Sequence, residues 1–243
     1  MWGAFRGQGW LLVSILVFLV CAVHVFSVTP PWFQNMSSVG SPKTFLFDIG
    51  RVLLDFDFES SLAQLVSNDI ENPHDCICQV LAGKDALEKG LVDSAQYARW
   101  ALDILQGDAT IEQFYRAWRK IFTYNQSMWD CVGRIAGCDH ALILISNINA
   151  IHCPWIFEAY PGFALFKQRI LSFEIGMLKP DPAIYRYAID TFNLNPENTV
   201  YIDDQPQNIA TGKSMGFQCW QYDIRHHAPF EDWLQTILID ADR

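Results

Sequence analysis

Basic residues are scarce in this chain. It carries 17 Lys and Arg against 27 Asp and Glu, a formal net charge of −10 over 243 residues. A protein that grips a nucleic-acid backbone needs a basic face to displace counterions, so nucleic acid is excluded as a partner. The deficit does not exclude one small phosphate, because a bound cation reverses the field locally. Paired cysteines are also missing. The seven cysteines, at 21, 76, 78, 131, 138, 153 and 219, include no CxxC pair, which removes zinc ribbons and thioredoxin-type redox centres. His74-Asp-Cys-Ile-Cys78 gathers metal-ligating residue types, but no second ligand pair answers it, and it reads as structural. What the chain has in quantity is apolar material: 51% hydrophobic and 14% aromatic residues, ample for a packed core.

The N-terminal stretch stands apart. Trp10 to Val28 is interrupted only by Ser14, His24 and Ser27, and it has about the length that crosses a bilayer as a helix. Arg6 precedes it and the next basic residue is Lys43, so the positive-inside tendency keeps the N-terminus cytoplasmic and translocates the rest. The rival reading is a cleaved signal peptide with an apolar core from Leu11 to Val23. No Ala-x-Ala cleavage site follows, which favours an uncleaved single-pass anchor over secretion. Pro30 and Pro31 stop the helix, and residues 29–42 form a tether. Asn35-Met-Ser37 and Asn125-Gln-Ser127 match the N-glycosylation pattern and stay unassigned.

Beyond the tether, strand-like and helix-like stretches alternate. Thr44 to Phe47 is a short apolar run suited to a buried strand, ended by Asp48 and a sharp turn at Gly50. From about Phe58 to Met128 the periodicity is helical throughout, with a capping box at Thr110 and Gln113. Strands resume at Ala141 to Ile145, Arg169 to Phe173, Thr199 to Ile202 and Phe217 to Tyr222. Helices follow at Ala183 to Phe192, Asn208 to Met215 and Phe230 to Ile239. Such alternation implies an α/β fold with a parallel sheet and right-handed crossovers.

Four polar clusters lie just past apolar strands or the loop after one: Asp48, Ser146 with Asn147, Lys179, and Asp203 with Asp204. A parallel sheet gathers such positions at one edge, where open α/β sheets bind ligands. Three carboxylates packed together repel, and each resists ionising. A hard divalent cation resolves the conflict, and Mg2+ is the natural choice. Lysine and serine beside it complete a pocket for a tetrahedral anion, leaving Asp48 to attack as a nucleophile.

With these segments, FDIGRVLLDFD, LISNIN, GMLKPDPAIY and VYIDDQPQNIATGKSMGF, the chain resembles the haloacid dehalogenase superfamily. It is most similar to helical-cap members of the bacterial glucose-1-phosphatase kind. The resemblance implies a Rossmann-like core over residues 43–57 and 129–243 and an inserted cap over 58–128, following a tail at 1–9, the membrane or signal helix at 10–28 and the linker at 29–42. It implies Asp48 as the phosphorylated nucleophile, Ser146 on a phosphoryl oxygen and Lys179 as the counter-charge. Asp204 and the Gly50 carbonyl join Asp48 as direct magnesium ligands, Asp203 acts through water, and Asn147 shapes the phosphate site.

Two residues depart from that pattern. Gly50 occupies the position where many such phosphatases carry an acid for the leaving alcohol, and general acid catalysis is typically worth ~10²–10⁴ in rate. Arg51 stands where Gly or Asn is usual. Asp55 and Asp57 read as turn and helix-start residues, and His152 as structural. The resulting expectation is a magnesium-dependent phosphatase acting on a small phosphorylated metabolite. Its alternatives are a membrane-tethered domain that binds phosphate ligands without turnover and, less well supported, a dehalogenase. The sequence is silent on oligomeric state.

Overall fold

A computed structural model describes residues 43–239 apart from Asp139. The expected membrane span lies outside these residues. Among the described residues no helix is long and apolar enough to cross a membrane.

The chain order is β1 (Thr44–Phe47), β2 (Leu54–Phe56), α1 (Phe58–Leu62), α2 (Pro73–Ala82), α3 (Lys84–Glu88), α4 (Ser94–Leu105), α5 (Ile111–Arg119), β3 (Phe122–Tyr124) and α6 (Gln126–Ala136). It continues with β4 (Ala141–Ser146), α7 (His152–Ala159), β5 (Gln168–Leu171), α8 (Ser172–Ile175), α9 (Pro182–Phe192), β6 (Thr199–Asp203), α10 (Pro206–Ser214), β7 (Gln218–Gln221) and α11 (Ala228–Ile239).

Five strands form one parallel sheet in the order β5-β4-β1-β6-β7. Its α/β character is as expected. Side chains alternate across each strand, so Phe45 and Phe47 enter a core cluster with Trp129, Ile156 and Phe230, while Leu46 enters another with Ile184, Tyr185 and Ile209. Helices therefore cover both faces, and the strands, buried on both sides, read as continuous apolar runs. The chain leaves β1 towards β4 and leaves β6 towards β7. The point where the winding reverses thus falls between β1 and β6, and a crevice opens there past the strand ends.

Helices α1 to α5 build a separate core around Leu62, Val80, Tyr97, Ala101, Phe114 and Trp118. The capping box at Thr110 and Gln113 is present, and Asp57 caps α1 by accepting from Ser60 N. One strand was not foreseen in this region. β3 pairs antiparallel with β2, Leu54 opposite Tyr124 and Phe56 opposite Phe122. Three residues cannot announce themselves by period, and their partner lies far back in sequence. This two-stranded flap joins the sheet to the helical layer.

Candidate active site

Asp48 follows β1, where its N–H donates to the Ile202 carbonyl on the neighbouring strand β6. Its side chain is held through one oxygen. Oδ1 accepts from Ile49 N at 2.8 Å, from Ser146 Oγ at 2.8 Å and from Lys179 Nζ at 2.9 Å. The other oxygen carries no hydrogen bond among the described residues. Burial pushes the Asp48 carboxyl up, Lys179 opposes this, and Asp203 adds to it.

Lys179 is 4% exposed and bridges Asp48 to Asp203, whose Oδ2 it meets at 2.6 Å. Burial alone would drive its proton off, but the two carboxylates prevail and hold its pKa above the ordinary lysine value. Asn147 positions this lysine. Its amide donates to Lys179 O at 2.9 Å and its carbonyl accepts Lys179 N at 2.8 Å. The Asn147 side chain, assigned to the phosphate site from sequence, is thus held to the Lys179 main chain through both of its polar atoms while it lines the crevice.

Asp203 ends β6 and Asp204 follows it, in different environments. Asp203 is fully buried. Its Oδ2 also accepts from Tyr201 Oη at 2.6 Å, and Oδ1 accepts from Gln205 N at 2.8 Å and Asn208 Nδ2 at 2.9 Å. Asp204 is half-buried, and among the described residues its carboxylate accepts only from the Gln205 amide, at 2.5 Å. Burial, Asp48 and Asp203 raise its carboxyl to about 7. One ligand oxygen from each of Asp48, Asp203 and Asp204 can be chosen within 4.8 Å of the others. Asp203 has its lone pairs taken by four donors, whereas Asp48 and Asp204 have oxygens to spare. Two raised carboxylates with free oxygens fit a divalent cation, which would restore both to the ionised form.

Gly50 sits in the same crevice, and a β-carbon there would meet Phe56 Cε1 at 3.0 Å. Arg51 adopts a left-handed backbone (φ 57°), which explains why Gly or Asn is usual at its place. Its side chain pairs with Asp55 and lies over the Phe56 ring, 4.4 Å from the centroid. Asp55 belongs to β2 rather than to a turn.

Several residues that shape the site were not singled out from sequence. Tyr201 lies two residues before Asp203 on the same strand face, and Asn208 one helical turn beyond; strand and helix spacing in VYIDDQPQN would have placed both. Ser172 holds the loop after β4 by donating to Ile148 O and accepting from Ile148 N, each at 2.9 Å. That contact joins two loops far apart in sequence and leaves no local signal. The crevice encloses a cavity of about 360 Å³, whose floor includes Asp48, Gly50, Ser146, Asn147, Lys179 and Asp204.

This floor is matched by a family model for haloacid dehalogenase-like hydrolases that spans residues 42–216, from the start of β1 to the turn after α10. The chain belongs to that family. Among curated relatives of this hydrolase, D-ribitol-5-phosphate phosphatase of Bacteroides thetaiotaomicron is 25% identical over 208 residues, covering 81% of this chain and 97% of the relative. The chloroplast flavin mononucleotide hydrolase 1 of Arabidopsis thaliana is 26% identical over 140 residues, 55% of each chain. A solved haloacid dehalogenase family enzyme of B. thetaiotaomicron, in complex with magnesium and inorganic phosphate, superposes with a TM-score of 0.65 at 22% identity. The match covers 76% of this chain and 96% of that one.

Proposed function

We propose that this hydrolase is a magnesium-dependent phosphatase that cleaves the primary phosphate ester of a small polyol or sugar through an aspartyl-phosphate on Asp48. One observation carries the reading. Asp48 is clamped through a single oxygen by Ser146, Lys179 and the Ile49 amide, on the floor of a cavity, with Asp204 beside it. D-ribitol 5-phosphate and flavin mononucleotide, named for two relatives, both carry a phosphate on the terminal carbon of a ribityl chain, which motivates the substrate class.

In this reading one Asp48 oxygen attacks phosphorus while the other faces the cation, and the Ser146 hydroxyl and the Lys179 ammonium steady the phosphoryl oxygens. Asp48, Asp204 and the Gly50 carbonyl would hold magnesium directly, with Asp203 acting through water because its own oxygens are already engaged. The cation supplies charge neutralisation at the phosphoryl group. A dehalogenase of this fold has no need of a cation, so the raised carboxyls of Asp48 and Asp204 favour phosphatase over dehalogenase chemistry.

Purified full-length chain should release phosphate from D-ribitol 5-phosphate with magnesium and stop when EDTA is added. Asp48→Asn should reduce the rate to background, and retained turnover by that variant would sink the assignment of nucleophile. The apolar run from Trp10 to Val28 supports a single-pass anchor on a translocated domain. Alkaline carbonate extraction should leave the chain in the membrane pellet; a soluble chain beginning after Val28 would point to signal cleavage instead.

A further inference from the structure

The phosphatase reading leaves one proton unaccounted for. A primary alkoxide is a poor leaving group, and Gly50 has no proton to give it. Several polar side chains around the cavity are already committed. The Ser146 hydroxyl donates to Asp48. His152 donates its Nε2–H to Trp118 O at 2.8 Å and accepts at Nδ1 from the Asn149 amide at 3.1 Å. That amide cannot turn over, because its carbonyl is held by the N–H groups of Ile151 and His152.

The roof of the cavity carries two charged side chains, Lys84 and Glu88, among Phe56, Phe58, Leu81 and Phe122. Both come from α3. Glu88 is only 4% exposed, and its Oε2 accepts from Lys84 Nζ at 2.7 Å. Its Oε1 has no hydrogen bond, yet the one fully sealed side-chain polar atom without a partner among the described residues is Trp118 Nε1. Glu88 Oε1 is therefore accessible. The helix is also fixed against the sheet domain. Two residues on, Gly90 turns with φ +66° so close to the Phe173 carbonyl that a β-carbon would stand 2.5 Å from its oxygen.

We propose that Glu88 protonates the departing alcohol in place of an acid at position 50, and that with Lys84 it forms the leaving-group end of the site. The inference rests on the phosphatase reading and adds the acid to it. The cost of burying a carboxyl with one half-exposed partner makes a purely structural Glu88 a poor choice, since an apolar residue would serve packing better. Burial raises its carboxyl, Lys84 opposes, and the nearby charges of Asp85 and Asp48 add to the rise, so the proton is retained more readily than on a surface Glu.

As the bond from Asp48 to phosphorus forms, the bond from phosphorus to the ester oxygen breaks, and that oxygen takes its electron pair. It receives the Glu88 proton and leaves as neutral alcohol. Water then attacks the aspartyl-phosphate and gives a proton to the Glu88 carboxylate. The bond from phosphorus to Asp48 breaks, and inorganic phosphate leaves with Glu88 protonated again. The roof sets hydrogen-bonding groups on Lys84 and Glu88 among aromatic and aliphatic residues, which suits the hydroxyls and carbon chain of a polyol.

The test compares leaving groups. Native chain, Glu88→Gln and Lys84→Met are assayed on D-ribitol 5-phosphate and on 4-nitrophenyl phosphate, whose phenolate needs little protonation. Glu88→Gln should lose ~10²-fold in kcat/KM, which reports the step that expels the alcohol, on the alkyl ester, and at least ~10-fold less than that on the aryl ester. Lys84→Met should show a smaller difference between esters. Adding Gly50→Asp to Glu88→Gln should recover alkyl turnover, because only the movable Phe56 ring crowds a β-carbon there. Equal losses on both esters, or an alkyl-specific loss that follows Lys84 instead, would overturn the inference. Absence of turnover by the native chain on either ester overturns the phosphatase reading, and this inference with it.

Discussion

Asp203 shows how a single residue organises the floor of the site. A fully buried carboxylate is costly unless paired and hydrogen-bonded. Here Lys179, Tyr201, Asn208 and the Gln205 amide all supply donors. Tyr201→Phe removes the hydroxyl at 2.6 Å and leaves the charge underpaired. Because hydrogen bonds to charged groups contribute about 1.5–3 kcal/mol, urea unfolding should register a loss of about that size. The same variant should also need more magnesium for half-maximal rate, since Asp203 would no longer be held in place. An unchanged unfolding midpoint would mean that the hydroxyl contributes nothing net. Asp203 was legible as half of an acidic pair. Its saturation was not, because two of its donors come from Lys179 and Asn208, whose approach depends on the sheet being assembled.

Among elements, the contact between the start of α7 and the end of α5 ties the helical layer to the sheet. His152 stacks on Trp118, with ring centroids 5.6 Å apart, and meets Phe122 edge-on. Burial pushes its imidazole down to about 3, whereas in the unfolded chain it titrates near 6.5. Between those values the unfolded chain binds more protons. The contribution is therefore fully present above about pH 6.5 and is lost as pH falls, by at most about 1.4 kcal/mol per pH unit. Asp48, Glu88 and Asp204 have raised carboxyls and act in the opposite sense. The comparison that isolates His152 is thus the difference in melting temperature between native chain and His152→Gln, which should narrow from pH 7 to pH 5. A constant difference would show that the imidazole is not held neutral by the fold. Strands β1, β4 and β6 were legible because burial on both faces makes each an unbroken apolar run. β3 was not, and neither was the docking of α3, which depends on a backbone approach between Gly90 and Phe173 that no periodicity encodes.

At the scale of the whole molecule, that approach decides how the helical layer faces the sheet. Gly90→Ala imposes both a left-handed backbone on alanine and a clash with the Phe173 carbonyl. Strained backbone of this kind costs about 1–3 kcal/mol, so the urea midpoint should fall. Turnover of an alkyl phosphate should fall further than that of an aryl phosphate, because Glu88 is carried on the displaced segment. Retention of both activities would show that α3 does not set the geometry of the reaction. The order of the four motifs along the chain revealed the family and the floor of the site. The roof stayed hidden because Lys84 and Glu88 sit in a helix of five residues with no motif of its own.

The flap has a consequence for how the chain can be made. Asn125 donates through Nδ2 to Val52 O at 2.6 Å and to Tyr222 Oη at 3.0 Å, while its own N–H reaches Leu53 O. That nitrogen is the atom on which an oligosaccharide would be built at Asn125-Gln-Ser127. A sugar attached there during synthesis would deprive the hairpin of its latch before the domain had closed. Ser127→Ala erases the acceptor triplet while sparing the amide, and in a glycosylating host it should raise the yield of folded protein.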